Sequence, residues 1–139
     1  MKKVFFDANI IIDLLNTKNE NHLNVAFIFR ELLRNKCSLY ISPTTFAISY
    51  YFLGKALKDT KKLNYTIAKF FSDFNFTRED NIIMGKVFQS DFIDLEDALQ
   101  YYSAFDAGVD AIITYDYYGF VNTSVPVYHP IQYIHQFLL

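Results

Sequence analysis

Short, unbroken apolar runs constrain the fold of this chain more than any other feature. Val4-Phe5-Phe6, Leu39-Tyr40-Ile41 and Ala111-Ile112-Ile113 lack the alternation of a strand with one wet face. Strands of this kind belong to parallel sheets covered on both faces. The segments between them have helical spacing instead. Helical periodicity starts near Asn9, with Ile11, Ile12 and Leu15 on one side. Residues 21–35 form an amphipathic helix keyed by Leu23, Phe27 and Leu33.

The same reading continues along the chain. A second strand over 38–41 runs into Ser42-Pro43, an N-cap followed by a proline in the first helical turn, with Phe46, Tyr50, Leu53 and Leu57 on the core face. A polar stretch at 58–62 is a loop or helix junction. Residues 63–71 are helical and 74–76 a third strand. Thr77-Arg78-Glu79-Asp80 opens a helix burying Ile82, Ile83 and Val87. Asp94-Leu95-Glu96-Asp97 opens another through Ala107, with Leu95, Ala98, Leu99 and Tyr102 inward and Gly108 as its stop. Residues 111–114 are a fourth strand, 125–128 a fifth, and Pro130 starts a last helix. Alternating strands and helices predict an α/β, doubly wound, roughly five-stranded parallel sheet with helices on both faces, in a single domain over 1–139.

Composition narrows the function classes. At 52% hydrophobic residues the chain is not disordered, and a net charge of −2 excludes a broadly basic surface for nucleic acid. Any nucleic-acid contact is therefore local or mediated by a metal ion. The 19% aromatic content accompanies abundant Asn, Lys and Ile, as an AT-rich genome would produce, so it is not by itself a site signature. Cys37 is the single cysteine, which excludes an internal disulfide. Asp7 interrupts the apolar run too early for a signal peptide. Gly119, Pro126 and Pro130 break the uncharged stretch from Tyr117 onward, so no membrane span is expected and the expected location is cytoplasmic.

Asp7 sits between two apolar runs, where burial would strip its water. It is either a turn residue or one member of a cleft. In a doubly wound sheet, ligands bind beyond the carboxyl ends of the strands near the topological switch point. Asp7 follows strand one, Asp116 follows strand four, and Asp97 lies in the first turn of the helix feeding strand four. Three carboxylates on one sheet edge repel one another unless protons or cations neutralise them. An oxygen-only set suits Mg²⁺ or Mn²⁺, which can activate water for attack on a phosphodiester. Structural roles stand beside this reading. Asp94 and Asp97 have the spacing of a capping box, Asp116 suits a turn, and Glu96, on a face with Gln100 and Ser103, suits a solvated helix surface. Asp13 and Asp106 are expected at the surface, and His129 and His135 as polar groups flanking the last helix.

FFDANIIIDLL resembles the opening of a PIN domain. DLEDALQYYSAFDAGVDAIITYDYYGF resembles its second half, SPTTFAISYYFLGKAL its middle helix, and VPVYHPIQYI its last strand and helix. The resemblance implies a PIN-like fold and a Mg²⁺- or Mn²⁺-dependent ribonuclease acting on single-stranded or structured RNA. Many single-domain members are VapC-type toxins, inhibited by a small antitoxin and often homodimeric. Carried over by position, Asp7, Asp97 and Asp116 are the metal-binding and catalytic residues. Asn9 braces Asp7, Thr114 lines the pocket, and Asp94 supports it. Two positions depart from the pattern. Ile48 stands where the middle helix usually carries Glu, and Tyr115 where a basic residue usually stands. The alternative is a PIN-fold module that binds RNA or protein with weak or no catalysis, which Ile48 favours. A haloacid-dehalogenase-like phosphatase needs an Asp where Asn9 stands, and a response-regulator receiver needs an acceptor Asp ending strand three.

Overall fold

The computed structural model describes residues 2–120 and 123–139. Its five strands are β1 (Lys3–Phe6), β2 (Ser38–Ile41), β3 (Phe74–Phe76), β4 (Ala111–Ile113) and β5 (Val127–Tyr128). All neighbours pair in parallel, in the order β3-β2-β1-β4-β5. The order reverses beside β1: β2 and β3 extend to one side, and β4 and β5 to the other. The switch point is therefore the crevice between the ends of β1 and β4. Asp7 and Thr114 are the residues that follow those two strands.

Among the described residues seven α-helices flank the sheet: α1 (Ala8–Leu15), α2 (His22–Arg34), α3 (Pro43–Ala56), α4 (Thr60–Phe71), α5 (Asn81–Phe88), α6 (Leu95–Asp106) and α7 (Pro130–Tyr133). Strand pleating sorts the core into two. Val4, Phe6, Leu39, Ile41 and Ile113 pack with α1, α2, α4 and α7, whereas Phe5 and Ile112 pack with Tyr101 and Ala104 of α6. Fully burying one such Phe or Ile contributes about 1.5–3 kcal/mol. Local stop and start rules worked as read. Ser42, Asp80 and Asp94 cap α3, α5 and α6 through their side chains. Gly108 takes φ 71° beyond the end of α6, a left-handed conformation that favours glycine. The junction at 58–62 resolves into Asp59 as the N-cap of α4, which starts three residues earlier than expected, at Thr60.

Helix faces differ from expectation. On α2 the buried residues are Val25, Ile28 and Leu32, while Leu23 is 77% exposed. On α5, Ile83 and Val87 are buried but Ile82 is exposed. On α6 the buried side is Ala98, Tyr101, Ser103 and Ala104 rather than Leu95, Leu99 and Tyr102. Small residues there allow close approach to the sheet, so bulk was a poor guide to orientation. Of the residues expected on the core face of α3, Tyr50, Leu53 and Leu57 do pack on the main core, partly buried, but only Thr45 and Ser49 of the helix are fully buried, one turn apart. Phe46 is partly exposed and meets Phe71 and Phe76 edge-on. Ser42, Thr45, Ser49, Gln100, Ser103 and Thr114 are wholly buried, and the Ser42 hydroxyl donates to Gln100 Oε1 at 3.2 Å. A polar seam thus joins the end of β2 and the start of α3 to α6. Among the described residues no helix is long and apolar enough to cross a membrane.

Candidate active site

Asp7 is 5% exposed and sits where β1 becomes α1. Its Oδ1 accepts from the Ala8 amide at 2.8 Å, and its Oδ2 accepts from the Thr114 hydroxyl at 2.6 Å. The same hydroxyl accepts from the Asp116 amide at 3.1 Å. Thr114 therefore ties the ends of β1 and β4 together and orients Asp7 while positioning the backbone of Asp116. The structural alternative for Asp7 holds, since it caps a helix, and its charge also acts on Asp97. The hydrogen bonds on its carboxylate come from Ala8 and Thr114 rather than Asn9, whose Oδ1 is buried without a hydrogen-bond partner.

Asp97 is buried in the first turn of α6, 9% exposed. Asp94 caps this helix, accepting from the amides of Glu96 and Asp97 at 2.8 and 3.3 Å. The capping role of Asp94 and the cleft position of Asp97 thus coexist. Asp116 is exposed and precedes a 3-10 turn over Tyr117–Gly119. That turn brings Gly119 against both acids. A methyl group at Gly119 would lie 2.5 Å from Asp97 Oδ2 and 3.5 Å from Asp116 Oδ2. With any larger residue there the Asp97 carboxylate would have to shift.

The electrostatics record the crowding. Burial, reinforced by the charges of Asp94, Asp7, Asp116 and Glu96, pushes the Asp97 carboxyl up to about 7. Burial also raises Asp7, against the lowering effect of its hydrogen bonds from Thr114 and Ala8, and Glu96 and Asp116 add to the rise. Glu96, expected on a solvated surface, is exposed yet is the leading charge acting on Asp7. Its companions on that face, Gln100 and Ser103, are fully buried. Asp13 also departs from expectation, being 9% exposed rather than on the surface. It lies beside Tyr115, whose phenol is held well above its usual range by burial and then by the Asp13 carboxylate. Asp106 is at the surface, paired with Arg78 at 3.0 Å. His129 caps α7 through its ring.

The donor set suits a hard divalent cation. It consists of carboxylate oxygens, with the backbone of Gly119 close to both Asp97 and Asp116. Among the described residues, no three His, Cys, Asp or Glu side chains are arranged to hold an ion between them as they stand. Mg²⁺ typically uses one or two carboxylates and keeps several waters, so two direct ligands with a third nearby fit its habits. Ile48, at the departing position on α3, is half-buried and belongs to neither apolar core.

Asp94, Asp97, Asp116 and Gly119, but not Asp7, line a cleft of about 560 Å³. The rest of its wall is Asp91, Phe92, Ile93, Tyr102 and Tyr118. None of this second group was read from the sequence as a site residue, and Tyr102 was read as an inward-facing residue of its helix. The clue available was the run Tyr117-Tyr118-Gly119 directly after Asp116.

A family model described as a PIN domain matches residues 3–118. Ribonuclease VapC1 of Aquifex aeolicus (strain VF5) is 32% identical over 121 residues, covering 83% of this chain and 82% of that protein. Among solved structures, VapBC2 from Rickettsia felis bound to a DNA fragment from their promoter aligns with a TM-score of 0.66. That alignment has 15% identity and covers 91% of this chain and 98% of that one. VapBC-1 from nontypeable Haemophilus influenzae aligns with a TM-score of 0.66 at 18% identity, covering 93% and 98%. These two structures share the fold.

Proposed function

The chain belongs to the PIN domain family, and on that premise we propose that it is a Mg²⁺- or Mn²⁺-dependent ribonuclease acting at the cleft between β1 and β4. The observation that carries the proposal is the convergence of Asp7, Asp97 and Asp116, from three separate segments, at the switch point of the sheet. A bound ion would supply Lewis-acid stabilisation and an activated water for attack on a phosphodiester. Asp97 and Asp116, which meet over Gly119, would hold it, with Asp7 as the third acid. Thr114 keeps Asp7 facing the others, and the Asp94 cap fixes the turn carrying Asp97. Proximity of the acids is useful only in the presence of a cation, because their mutual repulsion otherwise favours protonation.

The similarity to Ribonuclease VapC1 supports RNA as substrate. The likeness to chains solved as VapBC complexes supports an antitoxin as protein partner. A second reading, a PIN-fold RNA- or protein-binding module with weak or no catalysis, is favoured by Ile48. An isoleucine there leaves the site one carboxylate short of the usual pattern.

Cleavage of labelled single-stranded and hairpin RNA, with Mn²⁺ and with a chelator, tests the proposal. Cleavage is expected with Mn²⁺ alone and is lost in Asp97→Asn. RNA binding without cleavage in either condition would favour the module instead, and metal-independent cleavage would overturn the assignment of the acids.

A further inference from the structure

Asp94, Asp97 and Asp116 share the lining of the cleft with a group of mainly aromatic and apolar residues, and its size exceeds what an ion requires. A water's share of liquid volume is about 30 Å³, so a hydrated ion fills only a fraction of about 560 Å³. The remainder is walled by Phe92, Ile93, Tyr102 and Tyr118, with Asp91 the only charged side chain in that portion and no lysine or arginine anywhere in the lining. Such a space offers nothing ionic to a phosphate. It suits a flat, uncharged group attached to one.

The aromatic walls are prepared for that group. Tyr118 is 74% exposed, and its ring stacks on Tyr117 with centroids 4.2 Å apart and planes at 29°. The partner ring holds one face of this ledge. Phe92, in the segment between α5 and α6, is fixed by Tyr101 at 5.7 Å, Tyr102 at 6.0 Å and Phe120 at 6.1 Å. Tyr118 lies two residues after Asp116 and next to Gly119, whose backbone lies against the Asp97 carboxylate. The ledge and the acids thus share one short turn, and a ligand held by both spans adjoining atoms of one nucleotide step.

We propose that the aromatic part of the cleft lining, Tyr118 and Phe92, is a nucleobase subsite, in which an unpaired base flanking the scissile phosphate stacks against Tyr118. The inference rests on the nuclease reading for the placement of the phosphate, but the stacking itself does not require catalysis. Stacking on aromatic side chains is the usual means of holding single-stranded RNA where cations are scarce, because every base offers a π-face. A base paired within a helix is unavailable to such a ledge, so the subsite selects unpaired substrate segments.

The test is a binding measurement with 2′-O-methyl tetranucleotides carrying a fluorophore, in Mn²⁺, with their integrity checked by electrophoresis at the end of each titration because water attack does not need the 2′-hydroxyl. One series is intact, and in the others each base in turn is replaced by an abasic residue. For the wild-type chain, removal of one particular base is expected to weaken binding by about tenfold or more, the scale of a single aromatic stack. Tyr118→Ala should bind the intact oligonucleotide that much more weakly and be indifferent to the abasic change, while Tyr118→Phe retains both properties. Because Tyr118 is exposed, its variants should melt as the wild type does without metal. Wild-type affinity in Tyr118→Ala, or undiminished discrimination against the abasic oligonucleotide, would overturn the subsite. A parallel cleavage assay on the all-ribose sequence separates the two ideas. Base-dependent binding without cleavage sinks the nuclease reading and supports the subsite, whereas cleavage indifferent to Tyr118→Ala does the reverse.

Discussion

The Thr114 hydroxyl donates to Asp7 Oδ2 at 2.6 Å across the two central strands, residues 107 positions apart in the chain. The bond lies at the topological switch point and also receives the Asp116 amide, so one side chain coordinates the ends of β1 and β4. Thr114→Val removes it without changing the shape of the residue. A buried carboxylate oxygen and an amide then lose a partner, at a cost of about 1–3 kcal/mol. Urea denaturation should show this loss, and Thr114→Ser should recover most of it. A Thr114→Val protein as stable as the wild type would mean that water replaces the hydroxyl and the bond has no structural weight.

Asp97 should make stability depend on pH. Its folded value of about 7 stands above the unfolded 3.8, so between these limits the native state keeps a proton that the unfolded chain has released. The group therefore has no effect below about pH 4, and it lowers the stability of the metal-free protein progressively as pH rises toward about 7. Asp97→Asn should be more stable than wild type at pH 8, and the difference should vanish near pH 4. Mn²⁺ must displace the same proton, so its apparent affinity should rise over this range. Thermal melts across pH with and without Mn²⁺ measure both effects, and a pH-independent difference between the two proteins would contradict them.

Gly119 supplies a sharper probe of geometry than removal of a ligand. Any side chain there would meet Asp97 Oδ2 at 2.5 Å. In Gly119→Ala the Asp97 carboxylate must shift from its present position. The expected result is a loss of about tenfold in Mn²⁺ affinity, about 1.4 kcal/mol, with little change in metal-free melting. Isothermal titration with Mn²⁺ decides, and unchanged affinity would place the ion away from Asp97.

Ile48 tests the departure from the family pattern. It is half-buried and outside both apolar cores, so Ile48→Glu should cost only about 1 kcal/mol. If the helix turn carrying it faces the acids, the added carboxylate should tighten Mn²⁺ binding and raise RNA cleavage, each 1.4 kcal/mol of transition-state stabilisation being about tenfold in rate. Unfolding without any gain in Mn²⁺ affinity would show that the position supports packing instead.

The sequence alone determined the elements and their order. Strand runs such as Val4-Phe5-Phe6, caps such as Ser42 and Asp94, and the stop at Gly108 are local features, because each depends on bonds within a few residues. The convergence of Asp7, Asp97 and Asp116 was also legible, since an alternating strand–helix order fixes which strand ends share an edge. Only the tertiary structure decided how each helix is rotated. Leu23 and Leu95 are exposed while Gln100 and Ser103 are buried, because the sheet selects a face by shape and hydrogen bonding as well as by hydrophobicity. The same holds for Thr114 beneath Asp7, Glu96 facing Asp7 electrostatically, Asp13 beside Tyr115, and the aromatic wall next to the acids. Those relationships join segments distant in sequence, and their energies exist only once β1 and β4 lie side by side.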